Sequence, residues 1–332
     1  TRLFLGMPSQ GVFVSNDSGQ NWLTVNNGIT GSPADPATSP IQRIEVVMSA
    51  KPDPLQPANR PVYAALLGQA GGTVATAAGA MQPFVIVGPG SLLEPQDAIT
   101  ITNGANSETF TIQSTQASGA NLRLNLNQNL NANGNLPAGA AVGNVVSTNS
   151  VLDRLAAIFR SINNGANWTP LPLAGNPEAT GFVGIHSSGQ ADRHFSIAAD
   201  PNSHNTLYVG GDTPLNLNTA PLNNPSFAGR LVRWNGGPSW TPVTDSGANG
   251  TSPHADSRDM VFQGLHIVEV DDGGIYTLRT PAQASRVWQS LIGDLSLAEF
   301  FSIDFDTANN VILGGTQDNG SGSQTSTGAT QW

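Results

Sequence analysis

A short polar segment that ends in tryptophan recurs along this chain, and this repeat restricts the possible folds more than any other feature. The segment GVFVSNDSGQNWLTV (11–25) is matched position by position by AIFRSINNGANWTPL (157–171). A shorter copy, RLVRWNGGPSWTPV, covers 230–243, and a degenerate copy, GIYTLRTPAQASRVWQSL, covers 274–291. Every copy has an aliphatic residue three positions after its tryptophan: Val25, Leu171, Val243 and Leu291. Such internal similarity predicts a fold built from repeated units.

A second recurring segment supplies the other half of each unit. SIAADPNSHNTLYVGGD (196–212) and SIDFDTANNVILGGTQD (302–318) share Ser-Ile-x-x-Asp, a polar turn and an apolar run that contains Gly-Gly. Together, the two segments predict units of four short antiparallel strands. Units of about 50 residues with four strands are typical of β-propeller blades. Five units can be counted in the sequence, and we expect the chain to be part of a longer propeller protein.

Composition also favours short strands joined by turns. The 332 residues include 37 Gly and 23 Pro, and only 11% are charged. The net charge of -10 argues against nucleic acid and anionic membranes as partners. The absence of cysteine excludes disulfides and zinc–thiolate sites. No apolar run approaches the roughly 20 residues of a membrane-spanning helix. The composition, poor in Lys and rich in Asn and Thr, predicts a bacterial protein that is secreted or held at the cell surface.

The first interval between repeats is long enough to contain an insertion. Trp22 and Trp168 lie 146 residues apart, and the stretch between them carries alternating apolar residues such as Ile99 and Ile101. This alternation is typical of half-buried strands. We therefore predict propeller blades over 1–69, an inserted small β-rich domain over 70–152, and further blades over 153–332.

The tryptophan segment resembles the Asp-box of BNR-repeat β-propellers, a family that includes sialidase-like, xyloglucanase-like and sortilin-like propellers. Its pattern, Ser-x-Asp-x-Gly-x-Thr-Trp, is met in the first copy with Asn21 at the threonine position. The resemblance covers the chain outside the insertion and implies an all-β propeller of four-stranded blades. The residues that it places in structural turns and blade contacts are Ser15, Asp17, Gly19, Trp22, Ser161, Asn163, Gly165, Trp168, Trp240 and Trp288.

The physical chemistry of these residues favours an architectural role over a catalytic one. An Asp or Asn side chain accepts hydrogen bonds from nearby backbone N–H groups and fixes a tight turn, and glycine allows the positive φ that such turns often need. The tryptophan packs between neighbouring blades while its indole N–H donates to a turn carbonyl. On this basis Trp22 fills a blade interface, and Trp22→Ala is expected to cost a few kcal/mol.

Polar residues at predicted strand ends are the candidates for a ligand site. The densest group is PHADSRDMVF (253–262), followed by VDDGGIY (270–276) and GGTQDNGSG (314–322). The candidate ligand-binding residues are His254, Asp256, Arg258, Asp259, Asp272 and Asp318. Of these, His254, Asp256, Asp272 and Asp318 would form a glycan or cation site at one rim of a propeller or near its central channel. The alternative is that Asp256 and Asp259 pair with Arg258 or cap turns.

Calcium is the one cofactor for which the sequence offers candidate ligands. Asp271, Asp272 and Asp318 lie in Asp- and Gly-rich stretches that could supply side-chain and backbone oxygens. Their spacing does not follow that of an EF-hand loop, so no metal site is assigned from the pattern.

Two classes of function remain open. The leading interpretation is a non-enzymatic secreted or cell-surface propeller that acts as a structural scaffold or binds glycan, protein or further domains of a longer chain. The alternative is a glycoside hydrolase, xyloglucanase-like or, with less support, sialidase-like. That reaction needs two carboxyl groups at roughly 5–10 Å, and no pair can be identified from the sequence. No catalytic residue is therefore assigned.

Overall fold

The computed structural model describes residues 1–332 except 33, 38, 120, 176–181, 215–227, 294–299, 317–319 and 330–332. In this part of the chain the fold is all-β, with strands in several antiparallel sheets, one short 3-10 turn at Ser246–Ala248 and no α-helix. No helix among these residues has the length and apolar character needed to cross a membrane.

The described residues form five open sheets and one closed barrel. The first sheet contains β1 (Leu3–Met7), β2 (Gly11–Ser15) and β3 (Leu23–Thr24). The second sheet begins with β4 (Ile41–Met48) and β5 (Val62–Gln69). The chain then builds the barrel from β6 (Gly71–Thr76), β7 (Phe84–Val87), β8 (Ala98–Asn103), β9 (Asn106–Ser118), β10 (Asn121–Leu126) and β11 (Val145–Thr148). It returns to complete the second sheet with β12 (Asp153–Ser161) and β13 (Thr169–Pro170).

The remaining sheets follow one another in chain order. The third sheet contains β14 (Ser196–Ala199), β15 (Leu207–Gly210), β16 (Leu231–Trp234) and β17 (Thr241–Pro242). The fourth contains β18 (Asp259–Gln263), β19 (His266–Asp271), β20 (Gly274–Arg279) and β21 (Val287–Ser290). The fifth contains β22 (Phe300–Asp306), β23 (Val311–Thr316) and β24 (Ser321–Ser323). Each of these sheets is an antiparallel meander, in which every strand pairs with the next one along the chain.

The barrel lies within the predicted insertion. Its strands pair in the order β10-β7-β6-β11-β8-β9 and close on themselves. Alternate side chains point inward, as period-2 sequences require, and fill the barrel with an apolar core that includes Val85, Ile99, Ile101, Phe110 and Ile112. The barrel enters and leaves between β5 and β12, which are paired neighbours in the second sheet.

The two closely matching copies of the tryptophan segment form tight turns after β2 and β12. Ser15 Oγ accepts a hydrogen bond from Gly19 N at 2.8 Å, and Asp17 Oδ1 accepts one from Asn21 N at 2.9 Å. Hydrogen bonds from the backbone and side chain of Asn21, and from Ser15 Oγ, lower the pKa of Asp17 to about 2. Gly19 has φ of 95°, a left-handed conformation that favours glycine. The second copy makes the equivalent bonds: Ser161 Oγ accepts from Gly165 N and Asn163 Oδ1 accepts from Asn167 N.

Three tryptophans connect successive sheets. The indole N–H of Trp168 donates to Val25 O at 2.6 Å, that of Trp240 to Pro172 O at 2.9 Å, and that of Trp288 to Val243 O at 2.7 Å. In each case the carbonyl lies just after the last strand of the preceding sheet. All three tryptophans are buried, in the apolar clusters between the first and second, second and third, and third and fourth sheets.

Trp22 differs from the other tryptophans of the repeat, and the expectation that it fills a sheet interface is wrong for the described structure. Its side chain is 38% exposed, whereas Trp168 is 4% exposed. Its indole N–H donates to Gly19 O, a carbonyl of its own turn, at 3.1 Å. Trp22 therefore does not connect two sheets here. The fifth sheet is also exposed: Phe301 and Ile303 of β22 are 77% and 66% accessible to solvent.

The repeat provides a matched pair of substitutions that tests the role of these indoles. Trp168→Ala should lower the free energy of unfolding by about 3–5 kcal/mol, because it removes a large buried side chain that joins two sheets. Trp22→Ala, at the equivalent repeat position, should cost about 1 kcal/mol, because that side chain is partly exposed. Chemical denaturation of the two variants measures the difference. Equal losses would contradict the structural distinction between them.

Candidate functional site

Three of the six predicted ligand-binding residues, Asp256, Arg258 and Asp272, converge where the third sheet meets the fourth. His194 precedes β14 and Asp212 follows β15, while Asp256 and Arg258 precede β18 and Asp272 follows β19. In an antiparallel pair, the start of one strand lies beside the end of its partner, so each sheet brings its two polar groups to one edge. Because β14 and β18 are in contact, the two edges adjoin. We refer to these five residues as the seam cluster.

His194 is the centre of the seam cluster. Its Nδ1 lies 3.0 Å from Asp256 Oδ1 and 3.5 Å from Asp212 Oδ1, and its Nε2 lies 3.8 Å from Asp272 Oδ2. The ring is only 6% exposed. Burial alone would lower its pKa, but contact with the carboxylates of Asp212 and Asp256 outweighs burial and raises the pKa to about 9. His194 is therefore an imidazolium at neutral pH, held by carboxylates from two sheets.

Arg258 supplies the second positive charge. Its Nε donates to Asp272 Oδ1 at 2.6 Å, and Asp272 is 6% exposed while Arg258 reaches solvent. The cluster thus contains three carboxylates and two cations in direct contact. A buried carboxylate is stable only when it is paired in this way. The arrangement is that of an ion-pair network that joins two sheets.

A second carboxyl pair lies beneath the seam cluster. Glu269 is fully buried, and its Oε1 accepts a hydrogen bond from Ser257 Oγ at 2.6 Å, while Ser257 also contacts Ser196 Oγ at 2.6 Å. Burial raises the pKa of Glu269 well above its ordinary value. Burial likewise raises the pKa of Asp271 to about 6. Of these two carboxyl groups, Glu269 is shielded from solvent, whereas Asp271 is only partly buried.

The other residues predicted from the sequence lie outside the network. Asp259 is exposed, and its Oδ1 accepts a hydrogen bond from Met260 N at 2.8 Å. His254 packs over Gly273, where a Cβ atom would lie 2.4 Å from that of His254. The sequence alternative paired Arg258 with Asp256 and Asp259. In the structure Arg258 instead pairs with Asp272. Asp318 is outside the described residues.

Within the described residues, His194, Asp256 and Asp272 are the group with the geometry to hold a metal ion. Each offers one ligand atom, and these atoms lie within 4.8 Å of one another. A histidine with two carboxylates suits a transition ion better than calcium, which prefers six to eight oxygens. Calcium at Asp271, Asp272 and Asp318 stays a prediction. Asp271 Oδ1 accepts from Gly273 N, and Asp272 is engaged by Arg258.

Sequence reasoning missed His194 and Asp212, although the repeat contains the signal for both. The segment ADRHF (191–195) aligns with ADSRD (255–259), which places His194 on the position of Arg258. The acidic residue that follows the second strand is Asp212 in the third sheet and Asp272 in the fourth. Each sheet therefore carries a cation before its first strand and an acid after its second.

His194 gives the stability a pH dependence that can be measured. Its folded-state pKa of about 9 exceeds the ordinary 6.5, so the folded state binds this proton more tightly than the unfolded chain. The resulting stabilisation is complete below the unfolded pKa and is lost as the pH rises through about 9. The loss should be on the order of 2 kcal/mol after allowance for solvent screening. Denaturation across this range should show the decline for the unaltered chain and a flatter profile for His194→Gln. An equal decline in that variant would assign the effect to another group.

No family model matches this sequence, and no curated protein matches it. Among solved structures, the chain is similar to an endosialidase of phage phi92, with 11% sequence identity and a TM-score of 0.25. The similarity covers 91% of this chain and 45% of the endosialidase chain, so this chain spans less than half of that protein's length. A likeness with so low a TM-score carries no argument about the arrangement of the sheets or about activity.

Proposed function

We propose that the chain is a non-enzymatic β-propeller scaffold, secreted or held at the cell surface, that presents binding surfaces for glycan, protein or small ligands. The observation that carries this proposal is the state of the seam cluster. The carboxylates that a hydrolase would use are held in contact with His194 and Arg258 between two sheets. These contacts stabilise the stacking of the third sheet on the fourth.

The propeller arrangement itself is part of the proposal. It is supported by contacts between the first strands of successive sheets, in which β1 touches β4, β4 touches β14, and β14 touches β18. First strands that meet in sequence are expected when blades surround a common axis. The indole bonds between neighbouring sheets fit the same arrangement. We assign the blades to 1–69 and 153–332 and the inserted domain to 70–152.

One observation favours the alternative of a glycoside hydrolase. Asp256 and Asp272 offer carboxylate oxygens within 4.8 Å of each other, close to the roughly 5 Å between the carboxyl groups of retaining enzymes. The reaction also needs one carboxyl group that stays protonated and reaches the substrate. Asp272 is hydrogen-bonded to Arg258, and Glu269 is fully buried, while Asp271, whose pKa is also raised, accepts a hydrogen bond from Gly273 N within its own turn. The scaffold therefore agrees better with the geometry.

Substitutions in the seam cluster distinguish the two functions. The unaltered chain is expected to release no sugar from a panel of β-glucans and sialosides. Asp256→Asn and Asp272→Asn should lower the free energy of unfolding on the order of 3 kcal/mol, because each leaves a buried cation with one fewer partner. Asp259→Asn is the matched control, since Asp259 is exposed outside the cluster, and it should leave stability unchanged. Turnover by the unaltered chain that both cluster variants abolish would establish the hydrolase instead.

A further inference from the structure

The junction between the barrel and the second sheet contains a cavity of about 440 Å³. Its walls come from the segment after β7, from β9 and β10, from β12, and from the chain after β13. The main lining residues are Leu92, Glu94, Leu122, Leu155, Leu173 and Val183. Cavities of this size, largely apolar and placed between two structural units, are the usual setting of small-molecule sites.

The cavity walls are fixed by a buried ion pair. Arg154 of β12 donates to both carboxylate oxygens of Asp97 at 2.6 Å, and both side chains are almost fully buried. The same guanidinium donates to Leu92 O at 2.8 Å. Leu92 has φ of 55°, an unfavourable conformation for leucine that this bond helps to hold. The barrel wall is thereby attached to the second sheet.

Glu94 gives the cavity its polar character. Its Oε2 accepts hydrogen bonds from Val183 N at 3.2 Å and Gly184 N at 3.3 Å. Arg154 also lines the cavity and attracts Glu94, but its ion pair is with Asp97, and among the described residues no basic side chain forms an ion pair with Glu94. Burial raises its pKa. A carboxylate among apolar walls is costly to desolvate unless a donor reaches it, and a charged donor forms the strongest such bond.

We propose that this cavity binds small molecules that combine an apolar body with a primary ammonium group. The ammonium pairs with Glu94, and the apolar body packs against Leu92, Leu122 and Leu173. The site is independent of the propeller proposal, since it needs only the barrel, the second sheet and the segment around Val183.

The charge preference can be measured with two probes of nearly equal shape. 1-Naphthylmethylamine carries the ammonium group, and 1-naphthylmethanol replaces it with an uncharged hydroxyl. Calorimetric titration of the full chain at neutral pH should show about tenfold tighter binding of the amine, the gain expected from one charge-assisted hydrogen bond. Glu94→Gln should remove this preference while the alcohol still binds, because the amide oxygen can accept from Val183 N and Gly184 N. Equal affinities of the two probes for the unaltered chain would overturn the proposal.

Whether the two probes bind in this cavity is tested by substitutions that block it. Leu173→Arg places a bulky cation at the cavity, and binding of both probes should be lost. Leu265→Arg is the matched control, since Leu265 is also exposed but lies in the turn between β18 and β19. If Leu173→Arg lowers the melting temperature, Ala117→Leu takes its place, because Ala117 lines the cavity from an exposed position on β9. Unchanged amine binding in a folded blocking variant would place the probe elsewhere and contradict the proposal.

Discussion

The stacking of the first four sheets depends on one kind of hydrogen bond, which recurs at each of their three interfaces. In each case an indole N–H of one sheet donates to a backbone carbonyl at the end of the sheet before it. Trp168, Trp240 and Trp288 each make it, and each lies in the apolar cluster that the two sheets share. An indole between sheets buries a large apolar area, but its single polar atom is costly if it stays unpaired. The accepting carbonyl lies just past the last strand of the preceding sheet. The bond therefore fixes how far neighbouring sheets can slide, in addition to holding them together.

The sequence predicts the turns of this fold better than it predicts what each turn packs against. The hydrogen bonds of Ser15 and Asp17 recur at Ser161 and Asn163 because they are made within one short segment. Burial of the tryptophan is a different matter, since it depends on a neighbouring sheet that the local pattern does not encode. Trp22 has the same local sequence and is partly exposed. Closure of the barrel is likewise non-local, because β11 must find β6 and β8 across long stretches of chain.

The ion pairs of the seam cluster show the same limit. The concentration of polar residues in this part of the sequence identifies Asp256, Arg258 and Asp272 as a group. It does not predict which of these charged side chains form ion pairs. Arg258 lies two residues from Asp256 and one from Asp259, yet it pairs with Asp272, fourteen residues away. The reason is the register of β18 on β19, in which Asp259 faces Val270 and brings the start of one strand beside the end of the other. Pairing in a sheet is set by register, so proximity along the chain is a poor guide to it.

The two acidic regions of the molecule differ in what a ligand would have to do there. In the seam cluster every cation contacts a carboxylate, so a ligand would have to displace an ion pair that is already compensated, at a large desolvation cost. At the barrel junction, Arg154 forms its ion pair with Asp97, and Glu94, although it feels the Arg154 charge, forms no ion pair of its own among the described residues. A cationic ligand there would give Glu94 a direct ion pair without displacing one. The barrel is also inserted between paired strands β5 and β12, so binding at its base leaves the stacking of the sheets undisturbed. For these reasons the junction, although it lacks a recurring motif, is the better place for a ligand than the motif-rich seam.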